Sequence, residues 1–262
     1  MSDYARNSTT RFSDRVESYI RYRPSYPDQA IDRLVSECGI EANSRIADIG
    51  SGTGILSGLL LERGFRVYGV EPNREMREAG ERLLSGYERF SSRAGTAEET
   101  TMEAGSIDLV VAAQAFHWFD GEKARMEFKR ILKPEGWVAL IWNERLVDGT
   151  PFLRAYEKLL MEAATDYESV NHMNIGEDGV RRFFGASGDC RRFVFPNRQR
   201  FDYEGLKGRC LSSSYVPNED HPGYKTFFSR LEAIFSEHAV GGFVNFDYET
   251  SLYLGRLDGL SD

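Results

Sequence analysis

Cysteine is scarce in this 262-residue chain, with Cys38, Cys190 and Cys210 the whole complement. An odd number of thiols at such wide spacing builds neither a disulfide framework nor a zinc cluster, so no metal is expected and the thiols read as reduced, in a cytoplasmic protein. Long apolar runs are lacking too: nothing approaches the roughly 20 residues a membrane span needs. The opening residues, Met1-Ser-Asp-Tyr-Ala-Arg6, lack the apolar core of a signal peptide. Positive charge is in deficit, 33 Lys and Arg against 41 Asp and Glu for a net −8, which argues against nucleic acid as the partner. No internal repeat and no low-complexity linker divides the chain. What remains is 41% hydrophobic and 28% charged, the composition of a globular protein long enough for one large domain with an insertion.

Strand and helix patterns alternate strictly from residue 45 to residue 142. Arg66-Val-Tyr-Gly-Val70 and Ile107-Asp-Leu-Val-Val-Ala-Ala113 read as buried strands, as does Trp137-Val-Ala-Leu-Ile-Trp142 after a Lys133–Gly136 turn. Phe90–Ala94 marks a weaker one, and helices fall between them, with Asp28 expected to cap the helix at 29–38. Such alternation predicts an α/β fold: a doubly wound, mostly parallel seven-stranded sheet with helices on both faces. After Asn143 the rhythm loosens into helical stretches, an Arg- and Phe-rich strand at 191–202, and a final strand at 244–254 expected to close the sheet as an antiparallel edge. The expected layout is a single domain with an N-terminal lid (1–27), a binding core (28–145), substrate-side insertions forming a helical cap (146–241) and a closing strand (242–262).

The most specific stretch is Ile46-Ala-Asp-Ile-Gly-Ser-Gly-Thr-Gly54, a buried strand running into a glycine loop. Glycine permits positive φ and lets a ligand lie directly against the backbone. A dinucleotide fold wants G-x-G-x-x-G, but Ile55 stands where its third glycine would be, and the pattern here is G-x-G-x-G. Asp48, just before the loop, would repel a pyrophosphate and suits an ammonium or sulfonium cation. Glu71, at the end of the second strand, is placed to accept hydrogen bonds from a ribose diol and disfavours a 2′-phosphate. The pattern therefore favours S-adenosylmethionine over NAD or NADP.

These residues, with Phe12, Tyr19, Arg23-Pro24-x-Tyr26-Pro27, Val70-Glu71-Pro72-Asn73-x-x-Met76, Gly95–Glu98, Gln114-Ala-Phe-His-Trp-Phe119 and Arg130–Pro134, carry a family resemblance. The chain resembles class I S-adenosylmethionine-dependent methyltransferases, in particular the small-molecule type 11 group that includes trans-aconitate methyltransferase-like proteins. The resemblance implies that Asp48, Gly50, Ser51, Gly52, Thr53 and Gly54 cradle the methionine moiety and that Glu71 binds the ribose. It places Pro72, Asn73 and Met76 near the adenine, with the Ala97 amide at a ring nitrogen and Gln114 and Ala115 on the sulfonium side. Thr96 stands where many relatives have Asp, so recognition of the adenine amino group falls elsewhere, with Glu98 as a candidate. Glu135-Gly136 replaces a glycine pair common in relatives, a change of turn only.

Three features have two readings each. His117 is a general base or substrate donor, or a structural ring packed between Phe116 and Trp118. Tyr19 and Arg23, ahead of two prolines, form either a lid that brings positive charge to the methionine carboxylate or a surface helix. Residues 181–209 hold eight basic side chains against three acids, a solvated strand face or the approach of an anionic substrate. The activity implied is methyl transfer to an oxygen of a small metabolite, a carboxylate or hydroxyl. A catalytically silent cofactor-binding sensor or partner protein is the alternative, and a tRNA or protein methyltransferase or a nicotinamide enzyme is less favoured. Monomer and homodimer are both open.

Overall fold

The computed structural model describes residues 16–165, 167, 176–185 and 189–257. Phe12 and the side chain of Tyr19 lie outside the described residues. Seven strands, β1 (Arg45–Ile49), β2 (Arg66–Val70), β3 (Phe90–Arg93), β4 (Ile107–Ala113), β5 (Leu132–Arg145), β6 (Arg191–Phe201) and β7 (Val244–Gly255), form one sheet in the order β3-β2-β1-β4-β5-β7-β6. Strands β1 to β5 are parallel, and β7 runs antiparallel to both neighbours. The strand order reverses between β1 and β4, so a crevice opens beyond their carboxyl ends, where open α/β sheets bind ligands.

The central strands read as continuous apolar runs because both faces are covered: Val110, Val111, Ala112 and Val138 through Ile141 are fully buried. Each such Val, Leu or Ile contributes about 1.5–3 kcal/mol. One face packs Ile31 and Leu34 of α2 (Asp28–Cys38) with Leu56 and Leu60 of α3 (Ile55–Glu62). The other packs Phe128 and Ile131 of α5 (Gly121–Ile131) with Phe183 and Phe184 of α7 (Gly176–Phe184). Between β2 and β3 lies α4 (Arg74–Leu83).

Three sequence expectations need correction. The last strand is antiparallel as expected but is not the edge: β7 lies between β5 and β6, and β6 takes the rim. The partly exposed alternation of β6 suits a strand with only one paired side. Asp28 does not cap its helix; Pro27 holds the N-cap position and Asp28, in the first turn, pairs with Arg63 at 2.8 Å. Lys133–Gly136 is no separate turn but a bulge inside β5, since Ile107 faces Leu132 while Leu109 already faces Trp137.

The β6–β7 ribbon outruns β5. Arg145, the last residue of β5, faces Tyr248, and the ribbon continues for four further pairs to Phe201 and Val244. On this overhang sit α6 (Pro151–Ala163), α8 (Tyr203–Leu211) and α9 (Tyr224–His238), sharing a third core built from Tyr156, Leu160, Leu206, Phe227, Leu231 and Phe246. The cap therefore stands at the carboxyl edge of the sheet. The short helix α1 (Val16–Tyr22) touches both α8 and α4, spanning cap and core. Its Tyr22 ring occupies the space a side chain at Gly208 would take.

Candidate functional site

The glycine loop follows β1 and is fixed by hydrogen bonds from Gly50 N and Ser51 N to Val70 O, at 2.8 and 3.2 Å, and from Gly54 N to Ser51 O at 2.9 Å. All three glycines have positive φ, +69° at Gly50, +55° at Gly52 and +86° at Gly54. At Gly50 the demand is also steric: a Cβ there would stand 2.6 Å from the Ala115 Cβ. Gly54 begins α3 without any side-chain cap.

Two carboxylates frame the loop. Glu71, 8% exposed, accepts from Gly52 N through Oε2 at 2.9 Å and from Asn73 N through Oε1 at 2.8 Å. Burial raises its pKa, against the pull of those two N–H groups and of Arg77. Asn73 in turn caps α4, accepting from Met76 N at 2.9 Å. Asp48 is 1% exposed; Ser57 donates to its Oδ2 at 2.6 Å, while Oδ1 is enclosed and has no partner. Burial, opposed by Ser57 and reinforced by the charge of Glu71, pushes its carboxyl up to about 6. Thr53 Oγ1 is likewise enclosed without a partner.

A second group of residues comes from the end of β4. Gln114 adopts φ +54°, a left-handed conformation uncommon outside glycine, and its Nε2 donates to Asn143 O at 2.9 Å. Strain of this kind collects at functional sites. Asn143, at the end of the buried part of β5, ties four segments together. Its Oδ1 accepts from Thr250 Oγ1 at 2.5 Å and Asn197 Nδ2 at 3.1 Å, and its Nδ2 donates to Ser25 O at 3.2 Å. Ala115 leads into a 3₁₀ turn, Phe116–Trp118, whose His117 ring lies 4.9 Å from that of Trp118.

Most of the residues expected from the sequence therefore converge. Asp48, Gly50, Ser51, Gly52, Thr53, Gly54, Glu71, Asn73 and Met76 share one loop-and-strand cradle, with Ala115 closing it across Gly50. Ala97 is buried, and Thr96 shapes its turn by accepting from Glu98 N and Glu99 N, both at 3.2 Å. Glu98 is committed in part, since its Oε1 accepts from Asp120 N at 2.8 Å. Pro72 is exposed. Arg23 donates from Nη2 to Ser212 O at 2.8 Å, so it joins the N-terminal segment to the cap. Sequence reasoning missed Ser57, Phe119 against Gly50, and Asn143. Only Asn143 had a signal: a polar residue directly after an apolar strand run, at the strand's carboxyl end.

The cradle fits S-adenosylmethionine. Glycine keeps the loop free of side chains at three positive-φ positions, Asp48 Oδ1 has no partner of its own, and Glu71 offers a fixed carboxylate for a diol. Fold and site together define a Rossmann-like α/β methyltransferase with S-adenosylmethionine as cofactor.

Comparison with known proteins agrees. Residues 47–140 match the model of the methyltransferase domain. An uncharacterised methyltransferase-like protein of Schizosaccharomyces pombe is 34% identical over 206 residues, 78% of this chain and 78% of that protein. The chain belongs to this methyltransferase family. An uncharacterised methyltransferase of Mycobacterium bovis is 40% identical, but that match takes in 53% of this chain and 55% of the relative, so the chain spans about half the length of that relative. Among solved structures, a candidate type II methyltransferase from Anaeromyxobacter dehalogenans superposes with a TM-score of 0.65 at 21% identity, covering 90% of this chain and 98% of that one. A phosphoethanolamine N-methyltransferase of Haemonchus contortus, solved with S-adenosyl-L-methionine, gives 0.57 at 14% identity over 99% and 61%. At those identities the likeness shows the fold alone. No helix among the described residues is long and apolar enough to cross a membrane.

Proposed function

We propose that this protein transfers the methyl group of S-adenosylmethionine to an oxygen of a small metabolite, a carboxylate or a hydroxyl. The observation that carries the reading is the buried Asp48 carboxylate, with one oxygen held by Ser57 and the other without a partner, at the start of a glycine loop whose three glycines all hold positive φ. When bound, the cofactor supplies an electrophilic methyl on sulfur with a thioether as leaving group. The chain's own contribution is alignment and exclusion of water, since the leaving group is already good.

In this reading Asp48 holds the methionine ammonium, Glu71 the ribose hydroxyls, and Asn73, Met76, Ala97 and Glu98 the adenine side. Gln114, held in its unusual backbone conformation by Asn143, faces the reacting side. A carboxylate acceptor is ionised at neutral pH and needs no base, whereas a hydroxyl acceptor would recruit His117. Residues 16–27 act as the lid and the α6, α8 and α9 cluster as the acceptor side. The three thiols, none in a disulfide, fit the cytoplasm.

The test is incubation with methyl-labelled cofactor and a metabolite extract, with the labelled product identified by mass spectrometry. We expect label on a small molecule together with S-adenosylhomocysteine. Label confined to tRNA or protein, or cofactor binding with no turnover on any fraction, would overturn the reading in favour of the alternatives. With an acceptor in hand, His117→Ala separates the two chemistries: an unchanged kcat excludes a base at this position.

A further inference from the structure

We propose that Arg209 anchors an anionic subsite in the cap, one that takes a carboxylate or phosphate group of the methyl acceptor. The proposal rests on the methyltransferase reading above. Of the eight basic residues between 181 and 209, most of those on β6 behave as a strand surface does. Arg191 pairs with Glu37 and Arg198 with Asp247, and Arg200 lies over the Phe243 ring. Arg209 differs. It is 7% exposed, on α8, inside the cap.

Its hydrogen bonds run to hydroxyls alone: Nε to Tyr248 Oη at 3.3 Å, Nη1 to Ser213 Oγ at 2.9 Å and to Ser212 Oγ at 3.3 Å. Among the described residues no carboxylate pairs with it, and Nη2 makes no hydrogen bond although it is not among the fully enclosed polar atoms. Tyr156 and Tyr215 complete its electrostatic surroundings. Phenols are neutral near pH 7, so they solvate the guanidinium without balancing its charge. A neighbour shows how the same fold treats an arginine that needs no ligand: the nearly buried Arg145 is matched by Glu157 and by Tyr167 Oη. A buried, unmatched cation is costly to keep, and buried charges are paired as a rule. An anion entering at Nη2 would restore the pairing through a charge-assisted hydrogen bond.

The subsite lies where an acceptor must enter. Tyr248 faces Arg145 across the β5–β7 ladder, one same-face step beyond the Asn143–Thr250 pair. Asn143 is the residue whose carbonyl holds Gln114. From above, the N-terminal segment closes over it: Arg23 donates to Ser212 O, and Gln199 accepts from Tyr248 Oη at 2.8 Å while donating to Tyr22 O at 3.1 Å. Arg209 thus stands between the lid and the strand ends that frame the reacting side.

The experiment uses the full chain and measures S-adenosylhomocysteine affinity by calorimetry first. Acetate, benzoate, octanoate and inorganic phosphate are then titrated at saturating S-adenosylhomocysteine, beside the neutral acetamide, benzamide and octanamide. We expect at least one anion to bind with about tenfold or greater preference over its amide or, for phosphate, over the amides as a set. Arg209→Gln should lose that preference while its S-adenosylhomocysteine affinity stays within about twofold of the parent, and Arg209→Lys should recover part of it. Tyr248→Phe, which removes one hydroxyl and leaves the charge, should weaken the anion severalfold and decides the matter if Arg209→Gln does not fold. The carboxylate and phosphate arms distinguish the two oxyanions. The proposal is overturned if no anion is preferred by the parent, if the variants bind the anion as the parent does, or if Arg209→Gln loses S-adenosylhomocysteine, which would assign the arginine to the cofactor's own carboxylate. Failure of the parent to bind S-adenosylhomocysteine at all would instead overturn the methyltransferase reading.

Discussion

Asp48 carries opposing demands. With its carboxyl pushed up to about 6 by burial, the folded chain without ligand prefers the neutral acid more than an unfolded chain does. The contribution of this group to stability is therefore fully present below its unfolded pKa of about 3.9 and is lost as pH rises through about 6, a span worth roughly 3 kcal/mol. Ligand affinity runs the other way, since an ammonium needs the ionised form. We predict that S-adenosylhomocysteine affinity, followed by calorimetry from about pH 7.5 down to pH 5, falls toward the lower end, by up to tenfold per unit below the pKa. In Asp48→Asn that slope should vanish, the affinity at neutral pH should drop by about tenfold or more, and the ligand-free melting temperature should rise by a few degrees. An affinity that ignores both pH and the substitution would remove Asp48 from the ammonium site. At Gly50, alanine meets both a left-handed backbone and the Ala115 Cβ. Gly50→Ala should cost roughly 2 kcal/mol or more in denaturant titration and lose cofactor binding with it.

Elements were legible in proportion to how far packing dictates their residues. The parallel strands β1, β2, β4 and β5 announce themselves as apolar runs because helices cover both their sides. Position within the sheet was not legible for β7: its long alternating pattern fits an edge, yet β6 pairs along its whole length, a non-local choice made by the cap helices that join the two. The N-terminal segment proposed as a lid was visible only as two prolines after an arginine-rich helix. Its docking partner, the Gly208 gap filled by Tyr22, involves residues almost two hundred positions apart that no local pattern links. That contact makes a sharp prediction. Gly208→Ala should displace the Tyr22 ring and free α1, seen as faster hydrogen exchange over residues 16–23 and weaker S-adenosylhomocysteine binding, with the sheet amides unchanged. Undiminished protection of α1 would show that this helix is held by something other than the Tyr22 ring.

For the molecule as a whole, the division of labour follows from topology. A switch point between β1 and β4 creates the crevice, the glycine loop and two buried carboxylates line it, and the overhanging β6–β7 ribbon places a separate helical core above it. The proposed cofactor cradle was readable because its residues are local: Asp48, Gly50, Gly52, Gly54 and Glu71 lie within two strand–loop units. On the proposed acceptor side the sequence offered only Arg23 and a basic stretch at 181–209 with two readings, because Arg209, Tyr248, Asn143 and Arg23 come from four distant segments and no spacing rule joins them. The net charge of −8 belongs to the surface and leaves the unmatched arginine in the cap concealed. The most direct test of the central claim is calorimetric titration of the purified chain with S-adenosylhomocysteine and, separately, with NADH. One site per chain for S-adenosylhomocysteine and no heat with NADH is the predicted result; absence of S-adenosylhomocysteine binding by folded protein, or preferential binding of NADH, would contradict it.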